Sequence, residues 1–336
     1  MARLFTDGAE SNDILFWDLT GAAFGGLYTH TEVARSGLYA YKFDKYPWAR
    51  KLISPGFTEL YFRLGFYARS ISANKTWFSW YGNDPNTKLG RVFLQNDYKL
   101  KAVVGTTEVA SGTELVSVYA WHLLEVHVKI ADSGGVIQVK IDGVLDIDYE
   151  GDTKSGSETE IKGFEFYFDS TVFIDDFAVN DTSGAVDNSW CGDGHVIALK
   201  PNSSGDSSDF VGSDSDSVDN YALVDDIPSD SDTTYVESAT PDDCDLYNLE
   251  ACGIDSDMYE IKRIFIEGRG KDTTTGSGIV TPLIKTSGSE IESDQVELTT
   301  TYAQIKSEEW VTNPMTGSAW TPTEVDALQI GIKVVQ

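Results

Sequence analysis

Apolar and polar side chains alternate with a period of two through much of the first half of this chain. In residues 58–69, Leu60, Phe62, Leu64 and Phe66 fall on one face and polar or small residues on the other, the pattern of a half-buried strand. Residues 121–130 repeat it and end at the turn cluster Asp132-Ser133-Gly134-Gly135. Residues 136–141 and 144–149 follow, separated by Asp142-Gly143. An Asp-Gly pair between two alternating runs predicts a hairpin, because both residues tolerate the positive φ that a type I′ turn requires. Residues 161–168 and 172–179 predict two more strands. No amphipathic helical window interrupts them, so a sandwich or jelly roll is expected.

The polar turn formers Asn180-Asp181-Thr182-Ser183-Gly184 mark a boundary. The expected organisation is all-β: two tandem antiparallel β-sandwich (jelly-roll) domains, 1–181 and 182–336. Residues 202–257 are rich in Ser and Asp, but Phe210, Tyr221, Leu223, Val224 and Tyr235 punctuate them. A long loop pinned to a core is expected there. Strands are expected again at 258–269, 278–286, 304–310 and 328–335. Thr321-Pro322-Thr323-Glu324 reads as a capping box with proline at the first helical position, so one short helical turn should precede the last strand.

Charge narrows the function classes. The chain has 336 residues and a net charge of −29. Residues 1–180 carry 17 Lys+Arg against 24 Asp+Glu, a balance of −7, and residues 181–336 carry 8 against 30, a balance of −22. No Lys or Arg lies between Pro201 and Ile261. Nucleic-acid backbones need clustered positive charge, and an anionic membrane surface would repel this chain, so neither partner is expected. No run approaches eighteen apolar residues, and the N-terminal stretch lacks an apolar signal-peptide core, so neither a membrane span nor Sec export is expected. The odd cysteine count, Cys191, Cys244 and Cys252, favours buried free thiols over a disulfide framework, with a single bridge left open.

Several segments carry a resemblance. Phe5-Thr6-Asp7-Gly8, Ser36-Gly37-Leu38-Tyr39-Ala40, the Asp142-Gly143 hairpin and Phe173-Ile174-Asp175-Asp176-Phe177-Ala178-Val179 resemble concanavalin-like (laminin-G-type) jelly rolls. Residues 180–188, Gly192-Asp193-Gly194-His195-Val196, Leu199-Lys200-Pro201-Asn202 and 309–321 resemble segments of tailed-phage structural proteins. The resemblance implies a virion protein: a capsid decoration, head-fibre or tail-associated component, made in the host cytoplasm and released by lysis. Other virion proteins would be its partners, and closed homo-oligomers suit such particles. The alternative is an adhesin for host-surface glycans, assisted by calcium.

Candidate chemistry is sparse. Related sandwich hydrolases resemble one another in a Glu-x-Asp-x-x-Glu strand; here Glu324-Val325-Asp326-Ala327-Leu328-Gln329 ends in Gln, and Glu324 is already occupied by the capping box. The chain is therefore expected not to be an enzyme. His122 and His127, five apart on one strand, point to opposite faces and cannot share a zinc ion. Calcium is the metal considered, with Asp214, Asp216 and Asp219 as ligands. Asp175 and Asp176 should point to opposite faces of their strand. For sugars, which stack on aromatic rings, the candidates are Trp77, Trp80, Tyr81 and Trp48.

Overall fold

A computed structural model describes residues 3–336 except 15, 23–25, 71–74, 96, 169 and 275–277. The chain is all-β, with 47% of residues in strands and 3% in helix. It divides into two compact units, Met1–Ile197 and Ala198–Gln336.

Two antiparallel sheets build the first unit. Across the eight-stranded sheet the order is Val144–Gly151, Gly135–Ile141, Trp121–Lys129, Glu59–Ala68, Val172–Asn180, Ala40–Asp44 and Gly26–His30, with Arg3–Asp7 added on Val172–Asn180. The seven-stranded sheet runs Thr107–Ser111, Leu100–Val104, Lys88–Leu94, Lys75–Tyr81, Ile161–Tyr167, Pro47–Phe57 and Leu19–Ala22. The alternating residues face inward as expected: Leu60, Phe62, Leu64 and Phe66 meet Phe78, Phe164 and Phe166 in one core cluster. Trp17 lies amid Phe16, Tyr41, Phe164, Phe166 and Phe177. The hairpin turn behaves as its dipeptide dictates, with φ of 50° at Asp142 and 81° at Gly143.

The expected split near residue 182 and the structural division after Ile197 differ by one segment, 182–197, which packs as a strap on the outer face of the eight-stranded sheet. Trp190 lies edge-on to Tyr61 and His127, and the Lys140 ammonium sits 3.8 Å above its ring. Gly192 N–H donates to Glu125 at 2.8 Å, and the Arg63 guanidinium donates to Gly192 O at 3.3 Å. The Cys191 thiol tucks against the carbonyls of Tyr61 and Ala178, and burial pushes its pKa up to about 11. All three cysteines are free.

The second unit is built on a six-stranded sheet in the order Pro201–Ser208, Cys244–Leu249, Gln329–Val334, Ile279–Thr286 and Ser289–Glu292, with Val296–Glu297 also paired to Ile279–Thr286. Two small ribbons, Val211–Gly212 with Val236–Glu237 and Glu267–Gly270 with Ala303–Lys306, accompany it. Trp310, Trp320, Val325 and Leu328 fill its main core cluster, and Trp320 Nε1 donates to Trp310 O at 2.8 Å. Gly331 permits the close approach of the neighbouring strand, since a Cβ there would stand 2.1 Å from Asp245 O. The capping box forms as expected, with the Thr321 hydroxyl taking Glu324 N–H and the Glu324 carboxylate taking Thr321 N–H at 2.9 Å.

Two expectations in this unit are corrected. Residues 258–269 do not form one strand; bridges at Ile261 to Trp320 and Ile264 to Trp310 precede the short strand Glu267–Gly270. The Asp/Ser-rich segment is not one loop, because it contains Pro201–Ser208 and the sheet strand Cys244–Leu249. Asp245 pins the loop part: its buried carboxylate accepts from Phe210 N at 2.8 Å, Asn220 Nδ2 at 2.6 Å and Tyr247 Oη at 2.9 Å.

Candidate functional site

The outer face of the seven-stranded sheet concentrates charge and aromatic rings. Strand pairing places Arg50 beside Glu165, Glu165 beside Ser79, and Ser79 beside Arg91. Glu165 is buried and holds two cations, Arg50 through Nε and Lys88 through Nζ at 2.9 Å. Burial lowers the Lys88 pKa against the pull of Glu165. The Arg91 guanidinium makes one long bond to Gly105 O at 3.4 Å and no ion pair among the described residues. Within this array three cations face one carboxylate, with Asp84 also acting on Lys88 and Asp18 on Tyr81 from nearby.

Aromatic rings flank the charges. Arg50 stacks on Trp48, its guanidinium carbon 4.6 Å from the ring centroid. Trp48 lies flat against the sheet because its neighbour across the strand is Gly21, where a Cβ would stand 2.6 Å from the ring. Tyr81 lies over Gly163 in the same manner, with the Lys88 ammonium 5.0 Å from its ring. Burial pushes the Tyr81 hydroxyl up to about 12.

The residues expected to meet sugars separate. Trp80 is a core residue of the inner face and Tyr81 is buried under the charged layer, so neither presents a free ring face. The reason is parity: Phe78 and Trp80 share the inward face of their strand. Of the three whose side chains are described, Trp48 alone is partly exposed on the outer face; the side chain of Trp77 lies outside the described residues. Arg50, Lys88, Arg91 and Glu165 were missed, since each reads singly as an ordinary outward polar residue. A sequence separation of 115 between Arg50 and Glu165 conceals their pairing.

Asp214, Asp216 and Asp219 are not gathered round a common point, and among the described residues no group of three or more His, Cys, Asp or Glu side chains is arranged to hold a metal ion. They serve their own loop: Asp214 Oδ1 accepts from Asp216 N at 3.4 Å, Asp216 Oδ1 from Val218 N at 2.8 Å, and Asp219 takes φ 58° before a short 3₁₀ turn.

A buried acidic cluster lies elsewhere in the first unit. The expectation that Asp175 and Asp176 face opposite ways is corrected by a bulge: the register shifts between Asp175 and Ala178, and Asp176 takes φ 51°. Both carboxylates are buried. Asp175 accepts from Arg35 N at 2.8 Å and Asp176 N at 2.7 Å; Asp176 accepts from Arg35 at 2.6 Å, Ser36 Oγ at 2.6 Å and Val196 N at 2.7 Å. Glu10 joins them, taking Leu38 N and Tyr39 N at 3.0 Å. Amide and guanidinium donors therefore fill the cluster, which fastens the loop at 35–39 and the strap to the sheet.

This cluster sets a pH dependence. Burial and the charges of Asp176 and Asp7 raise Glu10 to about 7, and burial with the Asp176 charge raises Asp175. A carboxyl group that holds its proton more tightly when folded stabilises the fold below its unfolded pKa and loses that contribution as pH rises through its folded one. For Glu10 the window runs from 4.5 to about 7. Glu10→Gln is expected to flatten the fall in melting temperature across that window, removing a contribution on the order of 1–2 kcal/mol after solvent screening. Thermal unfolding at a series of pH values checks this; parallel curves for the two proteins would refute it.

Neither protein-family models nor curated proteins match the chain. Solved structures do. A Trichoderma reesei endo-β-1,4-glucuronan lyase is 15% identical and covers 56% of this chain and all of its own, with a TM-score of 0.45. Domain 4 of a Geobacillus stearothermophilus extracellular arabinanase is 13% identical, covering 54% and 94% with a TM-score of 0.39. A Bacillus subtilis carbohydrate-binding module is 11% identical, covering 48% and 95% with a TM-score of 0.33. The expectation that the chain is not an enzyme is withdrawn on this finding, since polysaccharide-cleaving proteins stand among the structures it is similar to.

Proposed function

We propose that the outer face of the seven-stranded sheet recognises an acidic polysaccharide. The Arg91 guanidinium, with no ion pair among the described residues, carries the reading, since it stands in line with the Arg50–Glu165–Lys88 array, where three cations face one carboxylate. Guanidinium groups meet carboxylates in two-pronged hydrogen bonds, and the Trp48 ring supplies an apolar surface for a sugar face. Affinity electrophoresis in gels containing a polyuronate tests the proposal. Wild-type protein should be retarded by the polyuronate and run freely through a neutral glucan. Arg91→Ala should weaken binding by roughly 10-fold or more, the loss of one charged hydrogen bond. Equal mobility of wild type and variant in the polyuronate gel would sink the reading. The same incubation, followed by ultraviolet absorbance of unsaturated sugar ends, tells binding from cleavage.

A place for this module on the surface of a tailed-phage particle, among virion proteins, is a further part of the proposal. It rests on the sequence resemblance of residues 180–202 and 309–321, and locating the chain by electron microscopy of intact particles tests it.

A further inference from the structure

The outer face of the eight-stranded sheet holds a second line of aromatic residues. Five adjacent strands place Tyr28, Lys42, Phe173, Tyr67 and Trp121 directly opposite one another in register. At about 4.8 Å per strand, the line spans about 19 Å perpendicular to the strands. The rings are in contact along it: Phe173 to Tyr67 is 6.0 Å between centroids, and Tyr67 to Trp121 is 5.7 Å. Lys42 bridges the remaining gap, 5.6 Å from the Tyr28 ring and 5.5 Å from that of Phe173.

Only part of this sheet face is covered by the strap, which closes over Tyr61, Arg63, Glu125 and His127. The aromatic line lies one step further along the strands. Tyr28 is 39% exposed, Tyr119 beside Tyr67 is 66% exposed, and Tyr67 and Trp121 are half-buried. Phe173, in the middle of the line, is fully buried with Lys42 and Arg69 over its ring, so the rings with solvent-facing surface are Tyr28 at one end and Tyr67, Tyr119 and Trp121 at the other. The charges on the line are unbalanced: Lys42 and Arg69, the latter also above Phe173, share the single carboxylate of Glu32. A positive charge is left in excess between ring faces.

We infer that this aromatic line is a second binding site, for a linear oligosaccharide bearing carboxylates, on the opposite face of the first sandwich from the Arg91 site. Sugar faces lie on Tyr67, Tyr119 and Trp121, and a carboxylate completes the pairing of Lys42 and Arg69. Charge complementarity selects this occupant over a neutral chain. The site stands on its own residues and does not depend on the reading of the other face. Two sites on opposite faces would let one molecule hold two polymer strands, raising avidity for a polymer far above that for a short oligomer.

Calorimetric titration of the full chain with a glucuronic-acid oligosaccharide tests the inference, with a neutral cello-oligosaccharide as control. Wild type should take up a second equivalent that Trp121→Ala, Tyr119→Ala and the charge reversal Lys42→Glu each weaken by about 10-fold or more, while Arg91→Ala leaves it in place. Lys42→Glu keeps every ring, so it answers the question if a ring variant fails to fold. A single equivalent abolished by Arg91→Ala and untouched by Lys42→Glu would overturn this site and retain the other. A single equivalent abolished by Lys42→Glu alone would retain this one and remove the other. Uptake of the neutral oligosaccharide with equal affinity, or a dimer in sedimentation that Trp121→Ala dissociates, would also overturn it.

Discussion

Asp176→Ala is expected to destabilise the first unit by about 3–5 kcal/mol, the range for removing one partner from a buried charged network. The Asp176 side chain is fully buried and accepts from Arg35, Ser36 and Val196, with His195 Nδ1 3.4 Å away. Its loss takes from the Arg35 guanidinium its one buried carboxylate partner and leaves it only the Gly194 carbonyl at 3.0 Å and the largely exposed Asp193. The Val196 amide is orphaned at the same time. The strap should therefore loosen at its C-terminal end before the sandwich itself unfolds. Cys191 reports this directly, because its thiol is now shielded and held protonated by burial. Thiol labelling of Asp176→Ala should be much faster than that of wild type, with Cys191→Ser as the control that removes the signal. Asp193→Ala provides the contrast: that carboxylate is largely exposed, so its pairing with Arg35 should be worth less than about 1 kcal/mol. Equal denaturation midpoints for the two alanine variants would refute the account.

Trp17→Ala should cost a similar amount, about 3–5 kcal/mol, by a different mechanism. The ring touches Phe16, Tyr41, Phe164, Phe166 and Phe177, with centroids 5.1–6.2 Å away. Those residues come from both sheets and from the segment entering the sandwich, so no single neighbour can close the cavity. Trp17 Nε1 is buried with no hydrogen-bond partner among the described residues. Trp17→Phe should therefore cost markedly less than Trp17→Ala, since it removes an unpartnered donor along with part of the volume. Urea denaturation of the three proteins checks the order; a phenylalanine variant as unstable as the alanine variant would contradict it.

The two predictions differ in how far the sequence discloses them. Alternation alone places Phe62, Phe66, Phe164 and Phe166 inside, because a strand's side chains must take opposite faces and only one face can be buried. The Asp142-Gly143 turn and the capping box at Thr321 are equally legible, since each is a local interaction within a few residues. The same parity, applied to Trp80, assigns it to the core once Phe78 is known to face inward. What remains open in the sequence is which of two aromatic sets that face is.

Long-range pairing supplies the remainder. Arg50 meets Glu165 only because the strands Pro47–Phe57 and Ile161–Tyr167 are neighbours, and the aromatic line forms only because five strands from residues 26 to 180 lie side by side in one register. A bulge, invisible in composition, turns Asp176 to the same side as Asp175. The strap attaches to the first unit because Trp190 finds Lys140, His127 and Tyr61 on a sheet built from distant segments. Sequence by itself determined the all-β class, the alternating strands around 58–69, 121–149 and 161–179 and the local turns, for those follow from side-chain alternation and local backbone preference; it did not determine the strands of the second unit between 201 and 269. Tertiary structure alone decided which charged and aromatic side chains share a face, because register between strands far apart in the chain is set by the packing of the whole sandwich.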